Sequence, residues 1–184
     1  MGLRLAKALE EAKIPYALGG ALAYGVWALP RATNDVDLNL FVESPQLDAA
    51  LAALERAGVG FDRADARRRS DADGMFIGWV GACRIDVFTP SIAFSKEAER
   101  TRVFIDAGPL RAWFLSAEAL AFFKLMFFRS KDLADLERLL STMGRKLDAP
   151  YVRRWLVDAM GETDPRVSKW DELCAAFWPS GEGA

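Results

Sequence analysis

Asp35 and Asp37, separated by a single valine and followed by the apolar positions Leu38, Leu40 and Val42, are the residues whose types and spacing most directly suggest chemistry. Strand side chains change face at every residue, so both carboxylates project from one face, a few ångströms apart. Two anions held that close repel unless a cation lies between them. Carboxylate oxygens are hard ligands that suit Mg²⁺, and Mg²⁺ completes its shell with water and substrate phosphates. The spacing therefore points to a divalent cation and a nucleoside triphosphate. The plain alternative is a strand face open to water, with Asp35 also capping a turn.

Upstream, Gly19-Gly20 stands where an apolar run, Ile14 to Leu18, gives way to an amphipathic run, Ala21 to Leu29. This reads as a strand, a tight turn and a helix whose first N–H groups can hold a phosphate. Arg31 and Thr33 lie on the irregular segment before the acids. Arg31 could reach a triphosphate with its planar fork, and Thr33 could bind phosphate or orient Asp35. An exposed arginine and an ordinary turn threonine would look the same. Asp86, in Arg84-Ile-Asp86-Val-Phe, is a lone acid inside an apolar strand and so asks for a partner. It is the best candidate for a third carboxylate, but Arg84 lies on its face by period two, and an Arg84–Asp86 ion pair would satisfy it without a metal. Lys124 interrupts Ala-Phe-Phe-Lys-Leu-Met-Phe-Phe, where a charge is costly unless it is paired or snorkels to the surface.

The ordered string Gly19-Gly20, Arg31-Ala-Thr33, Asp35-Val-Asp37 resembles the nucleotidyltransferase superfamily, with its DNA polymerase beta-like fold. The diglycine with Arg-x-Thr before the first Asp is similar to the AbiEii/MenT-type toxin nucleotidyltransferases and to some antibiotic nucleotidyltransferases. The run Glu118, Lys124, Arg129-Ser130-Lys131-Asp132-Leu-Ala-Asp135-Leu resembles a run of the same toxins. The resemblance implies an α+β nucleotidyltransferase fold: a mixed, twisted sheet flanked by helices, with a helical C-terminal third. It implies Mg²⁺ held by Asp35, Asp37 and Asp86, and triphosphate contacts from Gly19, Gly20, Arg31, Thr33 and Lys124, with Asp132 or Asp135 holding the lysine. Asp132 and Asp135 are equally explained as first-turn acids that favour the helix dipole. Many relatives carry serine where Gly20 stands, so this chain would rely there on backbone donors.

The implied activity is transfer of a nucleoside monophosphate from an NTP to an acceptor hydroxyl. RNA such as tRNA is the first choice of acceptor, in a toxin with a possible cognate antitoxin, and a small antibiotic of aminoglycoside or lincosamide type is the second. A degenerate member that senses nucleotide or binds a protein is the third reading. The retention of three candidate acids weighs against it.

Composition narrows the chemistry. The 184 residues include no histidine, which removes triads, histidine bases and the usual His-containing zinc sites. Cys83 and Cys174 are too few and too far apart for a disulfide framework or a metal knuckle. A net charge of −2 offers no global field to attract nucleic acid, so RNA would need a local patch such as Arg67-Arg68-Arg69 or Arg145-Lys146. No apolar run is long enough to span a bilayer, and the N-terminus lacks the pattern of a signal peptide. A cytoplasmic protein is expected.

The elements that must position these groups can be read from periodicity. Length favours one domain over 1–184, with a nucleotidyltransferase core at 1–115 and a helical region at 116–184. The core reads as a helix over 3–13, a strand at 16–18, a helix after the diglycine to about Pro30, and a strand over 35–42. A helix capped by Ser44 then runs to Ala57, where Gly58 closes it. Next come a weak strand near 59–61, an arginine-rich turn, a hairpin of 75–80 and 83–88, a doubtful helix over 91–99, and extended pieces at 102–105 and 110–114. Ser116 and Ser130 are the expected caps of helices to 128 and 143, and Asp148 and Asp164-Pro165 begin two more. The tail after Pro179 is expected to fray.

Overall fold

The computed structural model describes residues 1–178, so the tail beyond Pro179 lies outside the described residues. By internal contacts the chain divides into two compact units, Met1–Ala23 with Arg31–Ser116, and Tyr24–Pro30 with the segment from Ala117 onward. The main division falls where the pattern turns helical.

The first unit holds a six-stranded mixed sheet. Its strands are β1 (Tyr16–Leu18), β2 (Asp35–Leu40), β3 (Met75–Val80), β4 (Cys83–Phe88), β5 (Val103–Ala107) and β6 (Leu110–Phe114), in the spatial order β3-β4-β2-β1-β6-β5. β2 runs parallel to β4 and antiparallel to β1, β3 and β4 form a hairpin, and β6 lies parallel to β1. The two-residue turn between Val80 and Cys83 is made possible by Gly81 at φ +59°. Parallel pairing of β2 with β4 matters most, because it sets the Asp35–Asp37 strand beside the strand of Asp86.

One face of this end of the sheet is core: Val36, Leu38, Phe76, Ile85 and Val87 are all buried. Helices of the unit are α1 (Gly2–Glu11), α2 (Gly20–Trp27, which crosses into the second unit), α3 (Leu47–Arg56), α4 (Arg63–Asp73) and α5 (Phe94–Thr101). Leu5 and Leu9 of α1 and Leu51 and Leu54 of α3 have no solvent exposure, and α1 packs on α3 and β6. Removing such apolar surface from water is the main favourable contribution to folding.

Four local expectations are corrected. Ser44–Gln46 forms a 3₁₀ turn ahead of α3, and the Ser44 hydroxyl donates to Asp71 Oδ1 at 3.0 Å, so Ser44 does not cap the helix. The arginine-rich segment is helix α4, not a turn. It has only one buried residue, Ala66, so no apolar period announces it; Asp62 caps it by accepting from Asp65 N–H at 2.7 Å, and Gly74 ends it at φ +68°. Ser130 lies inside its helix, whose start is instead tied by Asp132 accepting from Arg129 N–H at 3.3 Å. The weak strand near 59–61 is a single bridge between Gly60 and Trp79.

The second unit carries α6 (Ala117–Phe127), α7 (Ser130–Met143), α8 (Ala149–Met160) and α9 (Pro165–Phe177). Asp148 and Asp164 cap α8 and α9 as the sequence predicts, accepting from Tyr151 and Arg166 N–H at 2.9 Å each. Trp170 is buried and donates its indole N–H to Ala149 O at 3.2 Å. No helix among the described residues is long and apolar enough to cross a membrane.

Candidate active site

Strand register places the first-unit candidates on one sheet face in rows. Asp37 is the register partner of Asp86, and in the hairpin Asp86 faces Ile77. Two residues along, Asp35 is opposite Arg84, and Arg84 is opposite Trp79. Partners opposite one another share a face, so Asp35, Asp37 and Asp86 all project from the side away from the buried Val36, Ile85 and Val87. Asp35 is exposed, while Asp37 and Asp86 are half-buried.

Asp86 Oδ1 accepts from Arg84 Nε at 2.7 Å, which is the ion pair that period two allows. Three acids on one face repel, and the Arg84 guanidinium offsets the charge of Asp86. Among the described residues no three His, Cys, Asp or Glu side chains converge closely enough to hold one ion. The donor set is nonetheless suited to Mg²⁺ in kind and register: two hard carboxylates directly opposite on adjacent strands, and a third one row away. Asp37 and Asp86 would hold the ion, with Asp35 beside them.

The diglycine turn is built around Asp37. Gly19 donates its N–H to the Asp37 carbonyl at 2.8 Å, so the anion-facing donors are left to the first turn of α2 rather than to Gly19 itself. Gly20 has φ +48°, and a Cβ there would fall within the Asp37 carboxyl group and 2.9 Å from its Cβ. Only glycine fits. Gly81 shares the left-handed backbone but has nothing within 4 Å of its would-be Cβ. Gly81→Ala should therefore cost only the backbone term, about 1 kcal/mol, and Gly20→Ala about 1–3 kcal/mol, the excess reporting the contact with Asp37. Urea unfolding of the two variants side by side measures the difference, and equal losses would mean that Asp37 yields freely.

Thr33 turns out to orient Asp35 through its backbone: its hydroxyl accepts from Asp35 N–H at 3.2 Å and donates to Asp35 O at 3.1 Å. Arg31 lies exposed on the same irregular segment.

Lys124 and Asp132 belong to the second unit. Lys124 is only 5% exposed; its Nζ donates to Asp135 Oδ2 at 2.6 Å, lies 3.6 Å from Asp132 Oδ1, and sits 5.7 Å from the Tyr24 ring centroid. Arg129 adds a second cation, donating from Nε to Asp132 Oδ2 at 2.6 Å. Burial pushes the Asp132 carboxyl up, but the Arg129 hydrogen bond and the nearby Lys124 charge outweigh it and hold it below the usual carboxylate range. Two cations and two anions close the cluster, so this buried lysine is satisfied within its own unit.

Two features of the sites escaped the sequence reading. The closure of the Lys124 cluster by Arg129 is one, although its i,i+3 spacing to Asp132 was available as a signal. The other is Trp79, placed in the row of Arg84 and Asp35 by a hairpin register that Gly81-Ala82 hinted at.

No family model matches the chain, and no curated protein matches its sequence. Among solved structures, ANT(2")-Ia in complex with adenylyl-2"-tobramycin is 16% identical over 95% of this chain and 93% of that one, with a TM-score of 0.58. The solution structure of the antibiotic-resistance factor ANT(2'')-Ia is 16% identical over 95% of this chain and 88% of that one, at 0.57. JHP933 from Helicobacter pylori, at 14% identity over 94% and 85% with a TM-score of 0.49, adds no weight. Strand order, the diglycine turn on Asp37 and these likenesses agree that the chain has an α+β nucleotidyltransferase fold.

Proposed function

We propose that the protein is a Mg²⁺-dependent nucleotidyltransferase that moves a nucleoside monophosphate from an NTP to a hydroxyl of a small cationic acceptor of aminoglycoside type. The observation that carries it is the opposition of Asp37 and Asp86 on parallel strands, with Gly20 against Asp37. Bound Mg²⁺ supplies charge stabilisation at the phosphates and a lowered pKa of the attacking hydroxyl. The acceptor oxygen bonds to the α-phosphorus as the bond to pyrophosphate breaks, and Asp86 takes the hydroxyl proton. The first turn of α2 offers N–H groups to the triphosphate, and Arg31 its guanidinium. Positioning and charge neutralisation supply most of the rate.

The choice of a small acceptor over RNA rests on charge. Arg67 is bound to Asp48 at 2.7 Å, and Arg68 and Arg69 share Asp65, so two of the three charges in this run are offset within its own unit, which weakens it as a phosphate-binding patch. Likeness in fold to a structure holding adenylyl-2"-tobramycin points the same way. The toxin reading, with tRNA as acceptor and an antitoxin as partner, is the competitor.

Incubation with Mg²⁺, each α-labelled NTP, and either tobramycin and related aminoglycosides or bulk tRNA decides between them. Label is expected on the aminoglycoside. Label confined to tRNA would overturn the small-acceptor reading in favour of the toxin type, and no label on any acceptor would overturn transfer itself.

A further inference from the structure

Asn39 follows Asp35 and Asp37 on the acid-bearing face of β2 by period two, yet it is only 8% exposed where Asp35 is open to water. A carboxamide buried in a sheet asks for a partner. Its Nδ2 donates to Ala17 O across the β1–β2 pair at 3.5 Å, the long limit of a hydrogen bond, so that contact alone is a weak one.

The closer contact is with the diglycine turn. A Cβ on Gly19 would stand 2.8 Å from Asn39 Nδ2, 3.3 Å from Leu115 Cδ1 and 3.6 Å from Asp37 Cβ. Gly19 is not among the glycines with a left-handed φ, so space and not conformation excludes a side chain there. Gly20, one residue on, meets the Asp37 carboxyl in the same way. Two consecutive glycines thus rest on two alternate side chains of one strand, Gly19 on the Asn39 carboxamide and Gly20 on the Asp37 carboxyl.

That seating fixes a spacing. The N–H groups offered to the triphosphate belong to the first turn of α2, which starts at Gly20, while Asp37 belongs to the ion site. The bond from Gly19 N–H to Asp37 O at 2.8 Å ties the turn to β2, and the carboxamide against Gly19 sets how closely the two approach. With the carboxamide gone the turn can settle toward the strand, and the phosphate donors and the acids lose their mutual spacing. A misplacement of about 1 Å in such a site can cost up to about 10²-fold.

We propose that Asn39 is a positioning residue for nucleotide binding: its carboxamide is the spacer that holds the diglycine turn, and with it the first turn of α2, in place against Asp37. The inference rests on the transferase reading above and adds to it a residue that acts through Gly19.

The test is steady-state transfer to tobramycin, with NTP and tobramycin varied in turn, by the full chain and by Asn39→Ala, Asn39→Leu, Gly19→Ala and the double variant Gly19→Ala with Asn39→Ala. Asn39→Ala should raise the KM for NTP about fivefold to tenfold, with the KM for tobramycin within about twofold. Asn39→Leu keeps nearly the same volume without the amide and should stay within about threefold of wild type, because the spacing matters and the weak bond to Ala17 does not. Gly19→Ala should also raise the KM for NTP, since its methyl group presses on Asn39. In the double variant that methyl group occupies the space the carboxamide leaves, so its KM for NTP should fall below that of either single variant. Such coupling marks direct contact between spacer and turn. Leu40→Val, a truncation on the core-facing side of the same strand, should lower Tm without a selective rise in the KM for NTP. The NTP concentration that gives half of the thermal shift in Mg²⁺ should move by the same factors as the KM for NTP, which reads the role without any acceptor. An unchanged KM for NTP in Asn39→Ala would overturn the spacer role alone, as would equal rises in both KM values or a double variant no better than the worse single one. Absence of both transfer and an NTP-dependent thermal shift in wild type would remove the transferase reading, and the spacer role with it.

Discussion

Asp37→Asn is expected to lower transfer about 10²–10³-fold, the scale of losing one preorganised charge-stabilising group, while leaving the protein folded. The substitution preserves shape and removes one charge. In the ligand-free protein Asp37 lies directly opposite Asp86, and like charges opposite one another on adjacent strands destabilise by roughly 0.2–1 kcal/mol. Relieving that repulsion offsets part of whatever Asp37's own contacts contribute, so the variant should stay folded. A variant that is inactive because it is unfolded would show no cooperative melt.

A binding measurement separates the metal role from other ways of losing activity. Anything that binds only the native state stabilises it by RT ln(1 + [L]/Kd), about 2.7 kcal/mol at a hundredfold excess over Kd. Wild type should therefore melt higher in Mg²⁺ with NTP, and Asp37→Asn should lose most of that increment. Asp35→Asn should move both readouts in the same direction, because it removes a charge from the same face one row away. Full transfer activity in Asp37→Asn would end the proposal that opposed carboxylates hold the ion. Retained activity together with a lost thermal shift would mean that Mg²⁺ binds these acids but acts elsewhere.

Period and punctuation carried most of the sheet. The alternation in Asp-Val-Asp-Leu-Asn-Leu, the glycine turns and the aspartate caps before α8 and α9 are local signals, and the structure follows them. Helix α4 was illegible for the opposite reason. It buries one alanine and is held by Asp62, Gly74 and ion pairs to Asp48 and Asp65, none of which leaves an apolar stripe. Within the site, the shared face of Asp35 and Asp37 follows from spacing alone. The register that sets Asp86 against Asp37, and Trp79 against Arg84, is decided by pairing between segments about fifty residues apart, or by how a two-residue turn closes, and a linear reading sees only the candidates. The Arg84–Asp86 pair was legible as an alternative because both ends lie within two residues. Arg129 was not legible because an i,i+3 spacing to Asp132 is the same for a solvated pair as for one that closes a buried cluster from its exposed rim.

Lys124→Met is expected to destabilise the protein by about 3–5 kcal/mol, with a fall in Tm of order 10 °C, because it takes the ammonium away from Asp135 in a site where that carboxylate is almost wholly buried. The lysine itself is not the source of so large a number. A buried ion pair gains little over a well-packed apolar pair once desolvation is counted, and the loss comes from leaving a buried carboxylate without its counter-charge. Lys124→Met combined with Asp135→Leu should therefore recover at least about half of the deficit, with Asp132 kept in balance by Arg129. The acid limb gives a second check. Asp132 is held below the ordinary carboxylate value of 3.8, so its contribution is fully present above that pH and is lost as pH falls through the lower folded value. Removing Lys124 takes away one of the charges that lower it, so the single variant should lose stability at higher pH than wild type does. Chemical denaturation of the three proteins between pH 3 and 7 reads both effects; an unchanged Lys124→Met would mean that water or another cation already satisfies Asp135. The double variant also separates structure from chemistry. If it is stable and transfers label at the wild-type rate, Lys124 serves only the helical unit, whereas a stable double variant that has lost transfer assigns the lysine the charge-offsetting role that the resemblance implies.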